Sequence, residues 1–320
     1  MARQIERNFE TIARGGVTLR CVVEGDGPLV ILLHGFPQCW YLWRHQIDPL
    51  VAAGYRVAVP DQRGYGGSDA PEDVTAYDII QLTDDVVGVA DALGHRQFVV
   101  IGHDWGAPVA WHTALLHPAR VRAVAGLAVP YARLETPQLM TRQEYWGDRF
   151  WYIVYFQQPG IAEAELDADL RRSLRLTYYA ASADFCGNLM AMDKPKTAGF
   201  LDGIPEPTQE LSWLSEDDLD YYVAQYRRNG FRGPLNWYRN LERNVAITPQ
   251  LRDEKVSQTA YFLAGAQDPV LAFPGDWLGA MDKWVPNLVG KELIEGAGHW
   301  VPMERPEAVT ERLLRFLGTL

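Results

Sequence analysis

The 320-residue sequence predicts an α/β protein, in which helices cover both faces of a mostly parallel β-sheet and an all-helical segment interrupts the sheet domain. Short, continuous apolar runs alternate with longer helix-like stretches as far as about residue 130. That rhythm is lost between residues 131 and 245, and it then returns. We therefore expect a core formed by residues 1–130 and 246–320, with residues 131–245 forming a helical cap.

The apolar runs have the length and composition of buried strands. Leu29–Leu33 is continuously apolar and lies between Gly27-Pro28 and Gly35, which is typical of a strand buried on both faces. Similar runs are Tyr55–Val59, Phe98–Ile101, Val124–Val129, Ala260–Ala264 and Glu292–Ile294. Strands separated by helices favour parallel pairing with right-handed crossovers. A final helix is predicted over Ala308–Leu317.

The inserted segment carries helix signals and many aromatic residues. Ser215 precedes Glu216-Asp217-Asp218 and an apolar stretch, which is typical of a helix N-cap.

Composition excludes several classes of function. With 30 basic and 41 acidic residues the formal net charge is −11, so nucleic acid is not an expected partner. No apolar run reaches membrane-spanning length, and residues 1–7 lack the apolar stretch of a signal peptide, so no membrane association is expected. The chain has three cysteines, Cys21, Cys39 and Cys186. An odd number cannot all pair in disulfides, and their spacing is not that of metal ligands. These features predict a cytoplasmic protein.

The segment Phe98–Trp111 combines a buried strand, a tight turn and a helix. Asp104 lies at the centre of the turn, between Gly102 and Gly106, and Pro108 fits the first turn of the following helix. The arrangement resembles the nucleophile elbow of α/β-hydrolases, where serine usually takes the central position. Read without that resemblance, the segment could also be an ordinary strand-to-helix turn with aspartate as a cap.

Two further loops supply partners for Asp104. His34-Gly35-Phe36-Pro37 follows an earlier strand, so the backbone N–H groups of Phe36 and Trp105 could form an oxyanion hole, although Gly-Phe-Pro is also a common turn. His299 lies on a glycine-rich loop after the last strand, which preserves the order nucleophile, acid, histidine. The acid is predicted to be Asp268, with Glu135 as the second choice.

These motifs, together with the inserted segment, resemble the epoxide hydrolases of the α/β-hydrolase superfamily over nearly the whole chain. The resemblance implies an eight-stranded sheet and places two epoxide-activating tyrosines in the cap. The segments concerned are Tyr152–Gly160 and Gly233–Asn240, and their positions indicate Tyr152 and Tyr238, with Tyr155 as the neighbour that could be confused with Tyr152.

The implied reaction is hydrolysis of a small, mainly apolar epoxide to a vicinal diol through an ester on Asp104, with neither metal nor organic cofactor. A haloalkane dehalogenase shares the aspartate nucleophile and often the tryptophan that follows it, here Trp105. Paired tyrosines would serve no purpose there, and Phe36 stands where dehalogenases often have asparagine. A non-catalytic binding protein would not need Asp104, His299 and Asp268 together. The sequence leaves the physiological epoxide and the choice between monomer and homodimer open.

Overall fold

The computed structural model describes residues 6–133, 135–185, 193–273 and 275–320. Residues 1–5 and Cys186, which entered the prediction of a cytoplasmic protein, lie outside the described residues. Within the described part of the chain, no helix is long and apolar enough to cross a membrane.

One sheet forms the centre of the molecule. Its strands are β1 (Phe9–Arg14), β2 (Val17–Glu24), β3 (Leu29–Leu33), β4 (Arg56–Pro60), β5 (Phe98–His103), β6 (Val121–Leu127), β7 (Thr259–Gly265) and β8 (Leu288–Ile294). They lie in the order β1-β2-β4-β3-β5-β6-β7-β8. β2 pairs antiparallel with β1 and with β4, and every other pair is parallel. The expected mostly parallel, eight-stranded sheet is confirmed.

The strands differ in burial according to their place in the sheet. Every residue of β3 and β5 is buried, whereas β1 and β8 alternate between exposed and less exposed positions because they form the two edges. β1 and β2 form a hairpin through Gly15 and Gly16, which both have positive φ. The sequence reading did not predict these two strands, since its criterion was a continuous apolar run.

Helices cover both faces of the sheet. The core helices are α1 (Arg44–Ala52), α2 (Ile79–Ala92), α3 (Gly106–Leu116), α11 (Trp277–Trp284), α12 (Val301–Glu304) and α13 (Pro306–Leu317). The β3-to-β4 connection runs towards β1, whereas the following connections run towards β8. Right-handed crossovers therefore place α1 on one face and α2 and α3 on the other. In agreement, α1 packs against α13, and α2 packs against α3.

The segment between β6 and β7 is helical. Its α-helices are α4 (Gln138–Thr141), α5 (Tyr152–Tyr155), α6 (Ile161–Leu166), α7 (Leu170–Ala181), α8 (Glu216–Asn229), α9 (Arg232–Arg239) and α10 (Leu241–Ile247). No described residue of this segment joins the sheet. The N-cap expected at Ser215 is confirmed, because its side chain accepts a hydrogen bond from the Asp218 backbone N–H. The boundaries at 131 and 245 remain a prediction, and α10 extends past the second.

The close approach of β5 and α3 requires glycine at residue 102. A Cβ atom there would overlap the backbone of Gly106 and lie 2.6 Å from the Ala107 nitrogen. The start of α3 therefore packs directly on the end of β5, which fixes the turn that contains Asp104.

Replacing Gly102 with alanine should destabilise the protein by about 3 kcal/mol, because the added methyl group can be accommodated only by moving α3. Urea unfolding measures the free energy of unfolding. Gly54→Ala is the matched control: its φ is +88° but nothing lies within 4 Å of the added Cβ, so only backbone strain of about 1 kcal/mol is expected. Equal losses in the two variants would contradict the packing argument.

Candidate active site

Asp104 lies in a strained turn at the carboxyl end of β5. Its φ is +51°, a left-handed conformation that non-glycine residues rarely adopt. A Cβ on Gly35 would lie 2.5 Å from the Trp105 nitrogen, so the loop after β3 touches this turn. The loop after β3 and the start of α3 pack against the turn and keep it in this conformation. Strained backbone of this kind is common at functional sites.

Backbone N–H groups of Phe36 and Trp105 lie at the Asp104 carboxylate. The Phe36 N–H donates to Oδ1 over 2.6 Å. The Trp105 N–H also donates a hydrogen bond to this carboxylate. The structure therefore brings the two expected oxyanion-hole donors to the predicted nucleophile, with the Phe36 N–H on Oδ1.

His34 stiffens the loop that carries Phe36. The Gln62 backbone N–H donates to His34 Nε2 over 3.0 Å, so the ring proton is on Nδ1, which donates to the Gly35 carbonyl. Burial lowers the pKa of His34 to about 4, which keeps the ring neutral and preserves this pattern near pH 7.

The three predicted triad residues lie together at the carboxyl edge of the sheet. His299 Nε2 is 3.4 Å from Asp104 Oδ2, and His299 Nδ1 is 3.0 Å from Asp268 Oδ1. His299 and Asp268 are each only 4% exposed, so solvent screens these contacts weakly. Asp268 occupies the position of the acid, whereas Glu135, the second choice, is an exposed residue.

The two carboxylates determine the charge of the imidazole. Burial alone would lower the pKa of His299, but the negative charges of Asp268 and Asp104 outweigh it and raise the pKa to about 10. Burial likewise works to raise the pKa of Asp104, yet its contacts with His299 and the Trp105 N–H lower it. At neutral pH the site therefore holds an imidazolium between two carboxylates.

Tyr152 and Tyr238 come from α5 and α9 and meet over the same cavity. Their ring centroids are 5.9 Å apart at an interplanar angle of 80°. Burial, and next to it the charge of Asp104, raises the pKa of both phenols well above the usual value, so both keep their protons. The Trp105 side chain donates a hydrogen bond to Tyr238 and packs edge-on against it.

Tyr155 points to a different part of the inserted segment. Its hydroxyl donates to Glu165 Oε2 over 2.7 Å, and Tyr155 does not line either arm of the cavity at Asp104. Of the two tyrosines weighed from sequence, the structure therefore places Tyr152 at the cavity.

The cavity has two arms that share Asp104, Tyr152 and Tyr238. The first arm, about 190 Å³, is mainly apolar and runs along α3 past Trp111 and Met140. The second, about 110 Å³, passes His299 and is lined by the side chains Phe36, Trp146, Phe150, Trp151, Phe200 and Trp300 among others. A bound molecule could therefore extend from Asp104 in two directions.

The sequence reading missed the residues that hold the His299 loop. His103 Nε2 donates to the His299 carbonyl over 2.6 Å, and burial lowers the His103 pKa to about 3, so this ring is neutral. The Glu304 carboxylate accepts hydrogen bonds from the backbone N–H groups of Gly298 and Trp300, each at 2.9 Å. No motif identified Glu304, because only its burial in the folded chain distinguishes it from other glutamates.

Across the described ranges, no group of three or more histidine, cysteine, aspartate or glutamate side chains is arranged to hold a metal ion.

Comparisons with known proteins show which family the chain is similar to. Residues 28–306 match the family described as the alpha/beta hydrolase fold. Epoxide hydrolase A of Mycobacterium tuberculosis is 45% identical, over 100% of this chain and 99% of the relative. The bifunctional epoxide hydrolase 2 of Rattus norvegicus is 37% identical over 98% of this chain, which spans 56% of that longer protein. The crystal structure of epoxide hydrolase A from Mycobacterium thermoresistibile is 46% identical, covers 98% of both chains and gives a TM-score of 0.91.

Changing Asp104 to asparagine should lower the His299 pKa from about 10, because one of the two carboxylates that stabilise the imidazolium is lost. The raised pKa stabilises the fold fully below the ordinary value of 6.5, and this contribution is lost as the pH rises through about 10. NMR titration of the imidazole nitrogens measures the pKa, with intact mass verifying the amide. An unchanged titration would show that Asp104 does not set the charge of His299.

Proposed function

This chain belongs to the α/β-hydrolase family and, within it, to the epoxide hydrolases, and from that membership we propose that it converts an epoxide and water to a vicinal diol through an ester on Asp104. The observation that carries the proposal is the partly buried aspartate in the turn where serine hydrolases have their nucleophile, facing a cavity shared with two tyrosines. A carboxylate can attack the strained carbon of an epoxide directly, without a base to activate it.

In the first step Asp104 Oδ2 attacks an epoxide carbon while the C–O bond breaks. Oδ1 stays with the Phe36 and Trp105 N–H groups and becomes the ester carbonyl oxygen. Tyr152 and Tyr238 donate hydrogen bonds to the epoxide oxygen, and one of them transfers its proton as the alkoxide develops. The products are the Asp104 ester with an adjacent hydroxyl group and a phenolate.

Ester formation removes the negative charge of Asp104 and with it one cause of the raised His299 pKa. The imidazolium then releases its proton, which balances the proton taken up when the phenolate returns to phenol. His299 becomes a neutral base, and Asp268 keeps its Nδ1 proton in place.

In the second step neutral His299 removes a proton from water, and the hydroxide attacks the carbonyl carbon of the ester. The negative charge that develops on Oδ1 is stabilised by the Phe36 and Trp105 N–H groups. Collapse of this intermediate expels the diol, which takes its proton from His299. Asp104 is left as a carboxylic acid with one oxygen from water, and it passes its proton to neutral His299, which restores the carboxylate and the imidazolium.

The substrate we propose is a small epoxide with mainly apolar substituents, because aromatic and aliphatic side chains line most of both arms. A haloalkane is disfavoured, since a halide leaves without a proton and would not need two phenols.

We also propose that the chain works in the reducing cytoplasm, where Cys21 and Cys39, both buried free thiols, persist. The cavity is formed within one chain, so a monomer or a homodimer would carry the same chemistry.

The source of the diol oxygen tests the covalent mechanism. In one turnover in oxygen-18 water with enzyme in excess, the diol should be mostly unlabelled and Asp104 should gain the label, as mass spectrometry of diol and peptides would show. His299→Gln should still open the ring but should accumulate an adduct with the mass of enzyme plus epoxide. Labelled diol in the first turnover, with no adduct on the variant, would indicate direct attack by water.

The tyrosines should control the first step. Tyr152→Phe and Tyr238→Phe should each slow ring opening by about 10²-fold, since each removes one donor to the developing alkoxide. The double variant should nearly abolish the step, although the effects need not add because both donors act on one oxygen. Tyr155→Phe, which removes only the hydrogen bond to Glu165, is the matched control. Rapid-quench measurement of the ester gives the rates, and wild-type ring opening in the double variant would remove the tyrosines from the mechanism.

A further inference from the structure

A single buried carboxylate joins the His299 loop to the inserted helical segment. Glu304 Oε1 accepts from the Trp300 N–H, and Oε2 accepts from the N–H groups of Gly298 and Ala183, each at 2.9 Å. Gly298 and Trp300 flank His299, whereas Ala183 follows α7 of the insertion. Glu304 is 6% exposed, so its bonds are shielded from water. The backbone on both sides of the histidine and the end of α7 therefore share one acceptor.

The same two segments also touch directly. The His299 N–H donates to the Ala181 carbonyl over 2.8 Å. A Cβ atom on Gly298 would lie 2.6 Å from both Ala181 O and Ala183 N, so any other residue at 298 would push the loop away from the insertion. The position of the imidazole thus depends on backbone contacts with the insertion as well as on the strand that precedes it.

Holding a carboxylate here is costly. Burial raises the pKa of Glu304, and the hydrogen bonds from three backbone N–H groups counteract that shift. An apolar side chain in this place would leave three backbone donors without acceptors, whereas the two carboxyl oxygens of Glu304 accept from all three. A carboxyl group at residue 304 is therefore less favourable to bury than an apolar side chain, but it holds the His299 loop in place.

The imidazole has little freedom in the proposed reaction. His299 Nε2 must reach a water molecule beside the Asp104 ester while Nδ1 keeps its 3.0 Å contact with Asp268. A displacement of about 1 Å can lower the rate of such a step by about 10²-fold. Ring opening, in contrast, uses Asp104 and the tyrosines, which Glu304 does not contact.

We propose that Glu304 is a positioning residue for hydrolysis of the ester, because it anchors the His299 loop to the end of α7. This inference rests on the function proposed above. It assigns to Glu304 an effect on the second step that is separate from ring opening.

Glu304→Gln tests the inference. The amide keeps only one acceptor oxygen, so its NH₂ group faces at least one backbone donor and the loop must shift. With styrene oxide, ester hydrolysis should slow by about tenfold or more and ring opening by less than about twofold. The ester should accumulate, and kcat and KM should fall together. Rapid quench with intact-protein mass spectrometry measures both steps.

Two variants complete the design. Glu304→Asp keeps the charge and both oxygens, so its ester hydrolysis should be about threefold or more faster than that of Glu304→Gln. Glu311→Gln changes an exposed glutamate on α13 and should leave both rates unchanged. If Glu304→Gln does not fold, selective slowing of hydrolysis in Glu304→Asp supports the inference, and equal or no slowing of the two steps overturns it.

Equal slowing of both steps in Glu304→Gln would show a purely structural role, and unchanged hydrolysis would show no role in positioning; either result overturns the inference. His299→Gln separates this failure from failure of the proposed function. If that variant accumulates ester and Glu304→Gln does not, only the role of Glu304 is wrong. If neither accumulates ester, the covalent mechanism fails and the role of Glu304 fails with it.

Discussion

The contact of one buried imidazole with two carboxylates is the interaction on which the rest of the site depends. His299 lies 3.0 Å from Asp268 and 3.4 Å from Asp104, and its pKa is raised to about 10. A buried carboxylate without a partner would be costly, so each of the three groups is stable there only because of the others. This contact sets the charges of the three groups. The backbone N–H groups of Phe36 and Trp105 and the hydrogen bonds of Glu304 to the His299 loop then hold those groups in place.

A charged nucleophile changes what the histidine does. In a serine triad the imidazole must be neutral at the start, because it takes the proton of the attacking hydroxyl. In the proposed reaction Asp104 needs no such activation, and its charge helps to keep His299 protonated until the ester forms. Once ester formation removes the charge of Asp104, His299 can lose its proton and act as the base towards water. The order of the two steps follows from electrostatics, and no side chain has to move between them.

The proximity of residues that follow strand ends could be predicted from the sequence. Asp104, Asp268 and His299 each follow a strand of a parallel sheet, and the carboxyl ends of such strands meet at one edge, so their proximity was predictable. Tyr152 and Tyr238 were indicated only by family resemblance, since no periodicity distinguishes them among 15 tyrosines. Glu304 was not predictable, because no motif marks its bonds to the Gly298 and Trp300 N–H groups just before α12, and its third partner, Ala183, is 121 residues away.

The proposed reaction requires the insertion because residues at the carboxyl edge of the sheet contact a bound epoxide from one side only. In the proposed reaction Asp104 attacks carbon from the core, so the donors to the epoxide oxygen must come from residues of the insertion, and α5 and α9 contribute Tyr152 and Tyr238 to the cavity. Buried hydrogen bonds join the insertion to the core at separate points: from α7 the Tyr178 hydroxyl donates to the Pro37 carbonyl over 2.9 Å, and from α9 the Trp237 indole donates to the Arg63 carbonyl over 3.1 Å. Each bond contributes only about 1 kcal/mol. Together they fix the distance between Asp104, the proposed nucleophile, and the tyrosines, the proposed acid. Because both would act in the same transition state, the rate of ring opening depends on that distance.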